Sequence, residues 1–362
     1  MTGPQGNAKV GRDLRVSPYF FSAGHTRPAA PRIPVTVEDS PLAIPSPLLD
    51  QSAAQGARPH GDAAPPRVIL SFDVEEHDRI EAASGLTFDA ARRAKYGVRM
   101  DETTRWLVDR LGERGIAATF YLVGEIARDR PALVKAIHHA GHELGSHSWD
   151  HRRIHVHTRA SFREDIRRRK DALEQLSGQR VVGYRAPTFS VVRQTGWALD
   201  ELAEAGFEYD SSVYPVRHDR YGVPDAPRSP FLAVGETRSL LEIPPVTLRL
   251  LSTNLPAGGG GYFRLFPLGV VAAAVRQMIR QCQPAVAMLY FHPWEFDPDQ
   301  ERLPLGLLNG WRTYVGMGRT RGRFETLISR HTFTRAADVA AELRASSAAL
   351  PEFRVWPEAL RD

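Results

Sequence analysis

Four short stretches of this sequence gather residue types that do chemistry, and each follows an apolar run. The first, Ser71-Phe-Asp-Val-Glu-Glu-His77, sets Asp73, Glu75 and Glu76 close together. In an extended chain alternate side chains share a side, so Asp73 and Glu75 face the same way. Two carboxylates that near to each other call for a cation; a solvated acidic loop is the other reading. The second stretch places His147 and His151 four residues apart. One helical turn there would bring both imidazoles to a common point, as divalent-metal sites require, although two surface histidines would show the same spacing. It is not the HExxH pattern of a zinc-protease helix. The third, Gly183-Tyr-Arg185-Ala-Pro187-Thr-Phe-Ser190, offers a guanidinium able to grip a carboxylate with two parallel hydrogen bonds, and a proline that fixes the turn. A purely structural ion pair would look alike. The fourth, Leu289-Tyr-Phe-His292-Pro-Trp294-Glu-Phe296, ends an apolar run in a histidine suited to proton transfer near neutral pH, or to a buried structural role.

The elements that must position these groups alternate between short β-rich runs and helical periodicity from Arg67 onward. Strands are predicted at 68–72, 117–123, a run leading into His147, 181–184, 240–243 and 286–291. Helices are predicted at 101–114, with Asp101 as N-cap and Gly115 as stop, then from Pro131 to before Gly141, at 162–176 closed by Gly178, and at 195–205. About seven βα-like units result, an α/β pattern that suits a closed, barrel-like parallel sheet with its functional residues at the C-terminal strand ends. The basic run 167–170 reads as a solvated helix face. Gly258 to Gly261 reads as a flexible loop, or as backbone able to approach a ligand closely. Residues 1–66 hold eleven of the 27 prolines and none of the six tryptophans. Such a composition does not repay its ordering entropy, and the segment is predicted to be disordered.

Together, in this order, Asp-x-Glu, His-Ser-x-x-His, Arg-x-Pro-Thr and the final strand-end histidine resemble the polysaccharide deacetylase superfamily, the NodB-homology or carbohydrate esterase family 4 group. Longer strings, Tyr184 to Ser190, Tyr209-Asp-Ser-Ser-Val-Tyr-Pro215, Gly259-Gly-Gly-Tyr-Phe-Arg264 and Tyr290 to Pro298, resemble its subgroup found with exopolysaccharide export and exosortase systems. The resemblance covers about residues 67–345. It implies a distorted (β/α) barrel that binds one divalent cation, commonly zinc with cobalt or manganese as alternatives, and hydrolyses the N-acetyl group of an amino sugar in a polysaccharide or a lipid-linked precursor. On that pattern Asp73 matches the catalytic base, His147 and His151 the metal-binding histidines, Arg185 the residue orienting the base, and His292 the general acid. The usual second aspartate is Val74 here, so the carboxylate ligand falls to Glu75 or Glu76, and strand alternation favours Glu75. Asp210 is the candidate acid supporting His292, with a turn or cap role as the alternative. Pro187, Tyr262 and Trp294 are expected to meet the substrate. Trp149 could do so too, or belong to the core.

Composition bounds the rest. The chain has 362 residues, 42% hydrophobic and 25% charged, with a net charge of +5 and a single cysteine, Cys282. No intrachain disulfide, zinc-thiolate cluster or CxxC redox pair is possible. No nucleic-acid module is visible, no apolar stretch approaches the ~20 residues of a membrane span, and no apolar signal core opens the chain. The sequence predicts a cytoplasmic enzyme of residues 67–362 with a C-terminal helical extension, associating with envelope polysaccharide synthesis, its partner an N-acetylated saccharide. The competing readings are a hydrolase of another small amide on the same barrel, such as a deformylase or ureide hydrolase, and a non-catalytic sugar-binding relative. A two-carboxylate glycosidase would not need the histidine pair.

Overall fold

The structure, a computed structural model, describes residues 67–357; the segment read above as disordered lies outside them. Eleven strands are found among the described residues: β1 (Arg67–Val74), β2 (Thr119–Leu122), β3 (Glu143–Ser146), β4 (Gly183–Tyr184), β5 (Tyr209–Asp210), β6 (Phe231–Val234), β7 (Ser239–Glu242), β8 (Thr247–Leu250), β9 (Thr253–Pro256), β10 (Val286–Phe291) and β11 (Glu352–Arg354). Nine of them form one sheet in the order β10-β1-β2-β3-β4-β5-β7-β6-β11, while β8 and β9 make a separate hairpin. The seven strands from β10 to β7 are mutually parallel; only β6 runs antiparallel to its neighbour β7. Beyond β7 the chain reaches β10: Pro245 bridges Met288 and Gly259 bridges Tyr290. These bridges curl the sheet into a distorted barrel of seven parallel strands, the number of units the sequence predicts. A side chain at Gly259 would place its Cβ 1.6 Å from the Tyr290 carbonyl oxygen. The glycine run is therefore where the barrel closes, not a flexible loop.

Alternation divides each strand between two environments. On β1, Val68, Leu70, Phe72 and Val74 join the large core between sheet and helices, with Phe120, Leu107, Leu111, Ile137 and Phe162. The intervening Ile69 lies in the inner cluster with Tyr121, Tyr209, Leu241 and Met288. Ser71 and Asp73 follow Ile69 on that inner side and are buried, so the interior grades from apolar to polar toward the C-terminal strand ends. Tyr121 and Tyr209 fill it, their hydroxyls 3.0 Å apart. They fit because neighbouring positions are small: a Cβ on Gly183 would lie 2.2 Å from the Tyr209 ring. The helix Ala336–Ala345 contributes Ala336, Val339 and Ala340 to the same inner cluster.

Helix boundaries depart from expectation in one place. The helix holding Trp106 and Leu111 runs Ala90–Gly112, its N-cap Asp89, whose carboxylate accepts the Arg92 N–H at 2.7 Å. Asp101 is an interior residue paired with Arg105 one turn on. The helices Pro131–His139 and Arg159–Ser177 start and stop close to the predicted positions, the latter ending at left-handed Gly178. Its basic run is not wholly solvated, because Arg169 is completely buried. No helix among the described residues is long and apolar enough to cross a membrane.

Candidate active site

The polar residues gather at the C-terminal strand ends. Asp73, near the end of β1, is buried and ion-paired with Arg185, whose Nη1 lies 2.7 Å from its Oδ1. Arg185 follows β4 and is itself fully buried, an arrangement tolerable only because its other donors are used. Nη1 also reaches Ser71 Oγ at 2.9 Å, Nε donates to the Ser211 carbonyl at 3.2 Å, and Nη2 to Ser211 Oγ at 3.0 Å. The plane of the guanidinium lies over the Tyr121 ring, 4.2 Å from its centroid. Asp73 is thus fixed in place by a cation that is fixed in turn.

Glu75, two residues on, turns to the same side. It forms a group with His147 and His151 whose candidate ligand atoms all lie within 4.8 Å of one another. Trp294 Nε1 donates to Glu75 Oε1 at 3.2 Å, while the buried Oε2 meets only His151 Nε2. A carboxylate oxygen facing an imidazole nitrogen, with no further donor, is the arrangement a divalent cation stabilises, and one carboxylate with two imidazoles is a common donor set for one. His147 Nδ1 sits 2.8 Å from the Arg185 carbonyl, which orients the ring as metal-ligating histidines commonly are. Burial drives the His147 pKa down to about 3 against the opposing pull of Asp73, so the imidazole is held neutral. Burial works against a charge on Glu75 as well, but the surrounding histidines, His151 before His292 and His147, together outweigh it and keep the carboxyl well below its ordinary range.

The two histidines are not brought together by a helical turn. They lie on a tight loop in which Ser148 (φ 57°) and His151 (φ 64°) adopt left-handed backbone, and His151 N–H donates to Ser148 Oγ at 2.9 Å. Such strain persists where surrounding structure over-determines it. Here the helix Arg159–Ser177 does so: Asp165 accepts the Trp149 N–H at 3.0 Å and Arg169 donates to the Ser148 carbonyl. Hidden in a charge run, Arg169 gave no signal of this in the sequence. Trp149 itself lies under Arg168, whose guanidinium is 3.6 Å from its ring centroid.

His292 leaves β10 with Nε2 at 3.8 Å from both Asp73 and Glu75. Its Nδ1 is bound by Glu295 at 2.8 Å, and Glu295 by Arg264 at 2.8 Å. This corrects the assignment of Asp210 as the supporting acid. Asp210 bonds Ser212 Oγ at 2.5 Å and sits beside Glu242 in register, within the barrel. The supporting acid comes from the short turn Pro293–Phe296 directly after the strand, and the His-x-x-Glu spacing was its available signal. Burial alone would lower the His292 pKa; the Glu295 hydrogen bond and the Glu75 charge raise it to about 9.

The remaining expectations divide. Glu76 turns to Arg79 at 2.5 Å and is no part of the cluster. Tyr262 and Trp294 line a cleft of about 680 Å³ that also contains Asp73, Glu75, His147, His151 and His292. Trp294 is 8% exposed and grips Glu75, so it supports the cluster more than it offers a stacking face. Pro187 is buried and lies outside the lining, which takes Thr188 and Phe189 instead, both in left-handed backbone. His77, which ends the first stretch, is buried against Trp294, ring centroids 5.3 Å apart.

The family model described as polysaccharide deacetylase matches residues 76–209. That segment carries a polysaccharide deacetylase domain. Residues 211–341 match a second model, a domain of unknown function, DUF3473, the domain of the exopolysaccharide-associated subgroup. A peptidoglycan-N-acetylglucosamine deacetylase of Bacillus cereus is 30% identical over 101 residues, 28% of this chain and 37% of that protein. A chitin deacetylase of Pestalotiopsis is 29% identical over 146 residues, 38% and 48% of the two chains. The matched segments thus span less than half of these curated relatives. A crystal structure from Mycobacterium smegmatis, provisionally assigned as a polysaccharide deacetylase, aligns with a TM-score of 0.52 at 21% identity, over 84% of this chain and 98% of that one. It shares the fold.

Proposed function

We propose that residues 67–362 form a metal-dependent hydrolase that removes N-acetyl groups from amino sugars of a polysaccharide or a lipid-linked saccharide precursor. The observation that carries this is the convergence, in one cleft, of an Arg-clamped carboxylate, a Glu-His-His ligand set and a carboxylate-held histidine. The named activities of the relatives support the substrate class. Glu75, His147 and His151 would hold the cation, with zinc favoured by the donor set and cobalt or manganese as alternatives. When bound, such a cation polarises an amide carbonyl and acidifies a neighbouring water.

The protein's own groups do the proton work. Asp73, kept in place by Arg185, accepts the proton of the attacking water as the C–O bond forms. His292, its Nδ1 tied to Glu295, presents Nε2 to the cleft and protonates the departing amine as the C–N bond breaks. Without that proton the tetrahedral adduct returns to amide. Glu295, clamped by Arg264, orients the imidazole and stabilises its charged form. Tyr262 supplies an aromatic wall to a sugar ring.

The test is acetate release from N-acetylated oligosaccharides by chelator-treated protein, with and without zinc, cobalt or manganese. Release that metal restores, and that Asp73→Asn abolishes, is the expected result. Stoichiometric metal uptake without acetate release would move the substrate to another small amide. Neither uptake nor release would leave a sugar-binding relative.

A further inference from the structure

The reaction leaves one side of the cleft unused. Besides Arg264, which clamps Glu295, the cleft lining includes three arginines, Arg217, Arg220 and Arg312. None of them forms a side-chain hydrogen bond or an ion pair with any carboxylate among the described residues. The lining carboxylates outside the cluster are Asp219, beside His218 at 2.9 Å, and Glu81, paired with Arg153 at 3.5 Å. Arg220 and Arg312 come from distant parts of the chain and line the same cleft as His218. Burial first, and then these two guanidinium charges, depress its proton affinity against the pull of Asp219.

The wall carrying Arg217 and Arg220 is built, not frayed, and Arg312 faces the cleft from the helix Leu307–Tyr314. His218 stacks on Tyr221 with centroids 3.9 Å apart and planes within 12°, and Tyr221 stacks on buried Tyr214 within 8°. The Tyr214 hydroxyl donates to the Val246 carbonyl at 3.1 Å, anchoring the stack to the chain segment that closes the barrel. Like charges converging on a concave wall concentrate positive potential there. An arginine fork is matched to carboxylate and phosphate oxygens.

We propose that Arg220 and Arg312, with Arg217 at their side, form a subsite for an anionic group of the saccharide: the carboxylate of a uronic acid or the phosphate of a glycosyl phosphate. This rests on the deacetylase reading and narrows its substrate to acidic saccharides. The N-acetyl group occupies the cluster while the acidic group, on a neighbouring unit, is held by the arginines.

The experiment compares kcat/KM for acetate release from three probes. These are neutral N-acetylchitotetraose, a tetrasaccharide alternating N-acetylglucosamine with glucuronate, and N,N′-diacetylchitobiose carrying a reducing-end phosphate. At least one acidic probe is expected to exceed the neutral one by about tenfold or more at low salt, the scale of a charge-assisted contact, with the preference shrinking as salt is added. Whichever probe wins distinguishes uronate from phosphate. In the double variant Arg220→Gln, Arg312→Gln the ratio should fall toward one, whereas Arg330→Gln, an exposed arginine outside the lining, should leave it unchanged. A wild-type ratio near one for both acidic probes, or a preference that survives the double variant, overturns the subsite. Calorimetric binding of the same probes separates the two claims. If none is hydrolysed, an acidic preference lost in the double variant sustains the subsite while the reaction fails; absence of that preference overturns the subsite.

Discussion

Glu75 and Glu143 are buried carboxylates at opposite ends of the barrel, and their surroundings could hardly differ more. Glu143, at the start of β3, is fully satisfied. It accepts the Tyr209 hydroxyl at 2.7 Å on one oxygen, and on the other the Thr119 hydroxyl at 2.7 Å and the Ala337 N–H at 2.8 Å. The helix Ala336–Ala345 begins on this carboxylate, a favourable placement for a negative charge. Burial nevertheless raises its pKa. Glu75, just past the end of β1, has one oxygen facing nothing but an imidazole nitrogen, beside two further histidines and a second carboxylate. A buried polar group that is saturated by its own protein builds structure; one left with an open side is where a ligand completes the bonding.

Substitutions at the two ends of the barrel should have different consequences. The largest expected effect is at the mouth: Asp73→Asn should lower kcat/KM for acetate release by roughly 10²–10⁴-fold, the usual worth of a general base, while metal uptake persists. At the base, Glu143→Ala orphans three donors and should destabilise the fold by about 3 kcal/mol, read as the urea midpoint, with activity per folded molecule retained. Glu295→Gln at the mouth weakens the hold on His292 and should cost about 10–100-fold in kcat with little change in stability.

The smallest effect concerns Asp210 and Glu242, buried carboxyl groups side by side in register on β5 and β7, where a shared proton relieves the repulsion of two charges. Burial pushes Asp210 up to about 6 and raises Glu242 further above its ordinary range. A carboxyl whose folded pKa is raised binds its proton more tightly in the native state. Its contribution is therefore fully present below about pH 4 and is lost as pH rises through the folded pKa. The stability difference between wild type and Glu242→Gln should thus shift against the wild type by up to about 1.4 kcal/mol per pH unit on going from pH 4 upward. Parallel denaturation curves of the two proteins at pH 5 and 7 would check it, and a pH-independent difference would show that no proton is shared.

Much of this was legible in the sequence because it follows from period-two alternation. Alternation separated Glu75 from Glu76, and it placed Asp73, Arg185, His147 and His292 at strand ends facing one mouth. Six of the seven parallel strands emerged from apolar runs; β5, only Tyr209–Asp210, was too short to show one. What escaped depends on long-range packing. The loop that joins His147 to His151 takes left-handed backbone at two residues without a glycine to announce it. Arg169 buttresses that loop from within a run of basic residues whose other members face solvent or an aromatic ring. Asp210 looked available as a partner for His292, but β5 aims it at Glu242, and a glutamate three residues from the histidine serves instead. Asp101 resembled a helix cap because Asp89, three turns earlier, lay ahead of a stretch too polar to show an apolar stripe.

The central claim, that the mouth and not the base is a metal centre, is tested most directly by calorimetric titration of chelator-treated protein with zinc. One equivalent should bind to the wild type and to Glu143→Gln, with at least a hundredfold weaker binding by Glu75→Gln and by His147→Ala, in line with the loss of a direct ligand. Wild-type protein that takes up no metal, or a Glu75→Gln variant that binds it as tightly as wild type, would show that the mouth is not a metal centre.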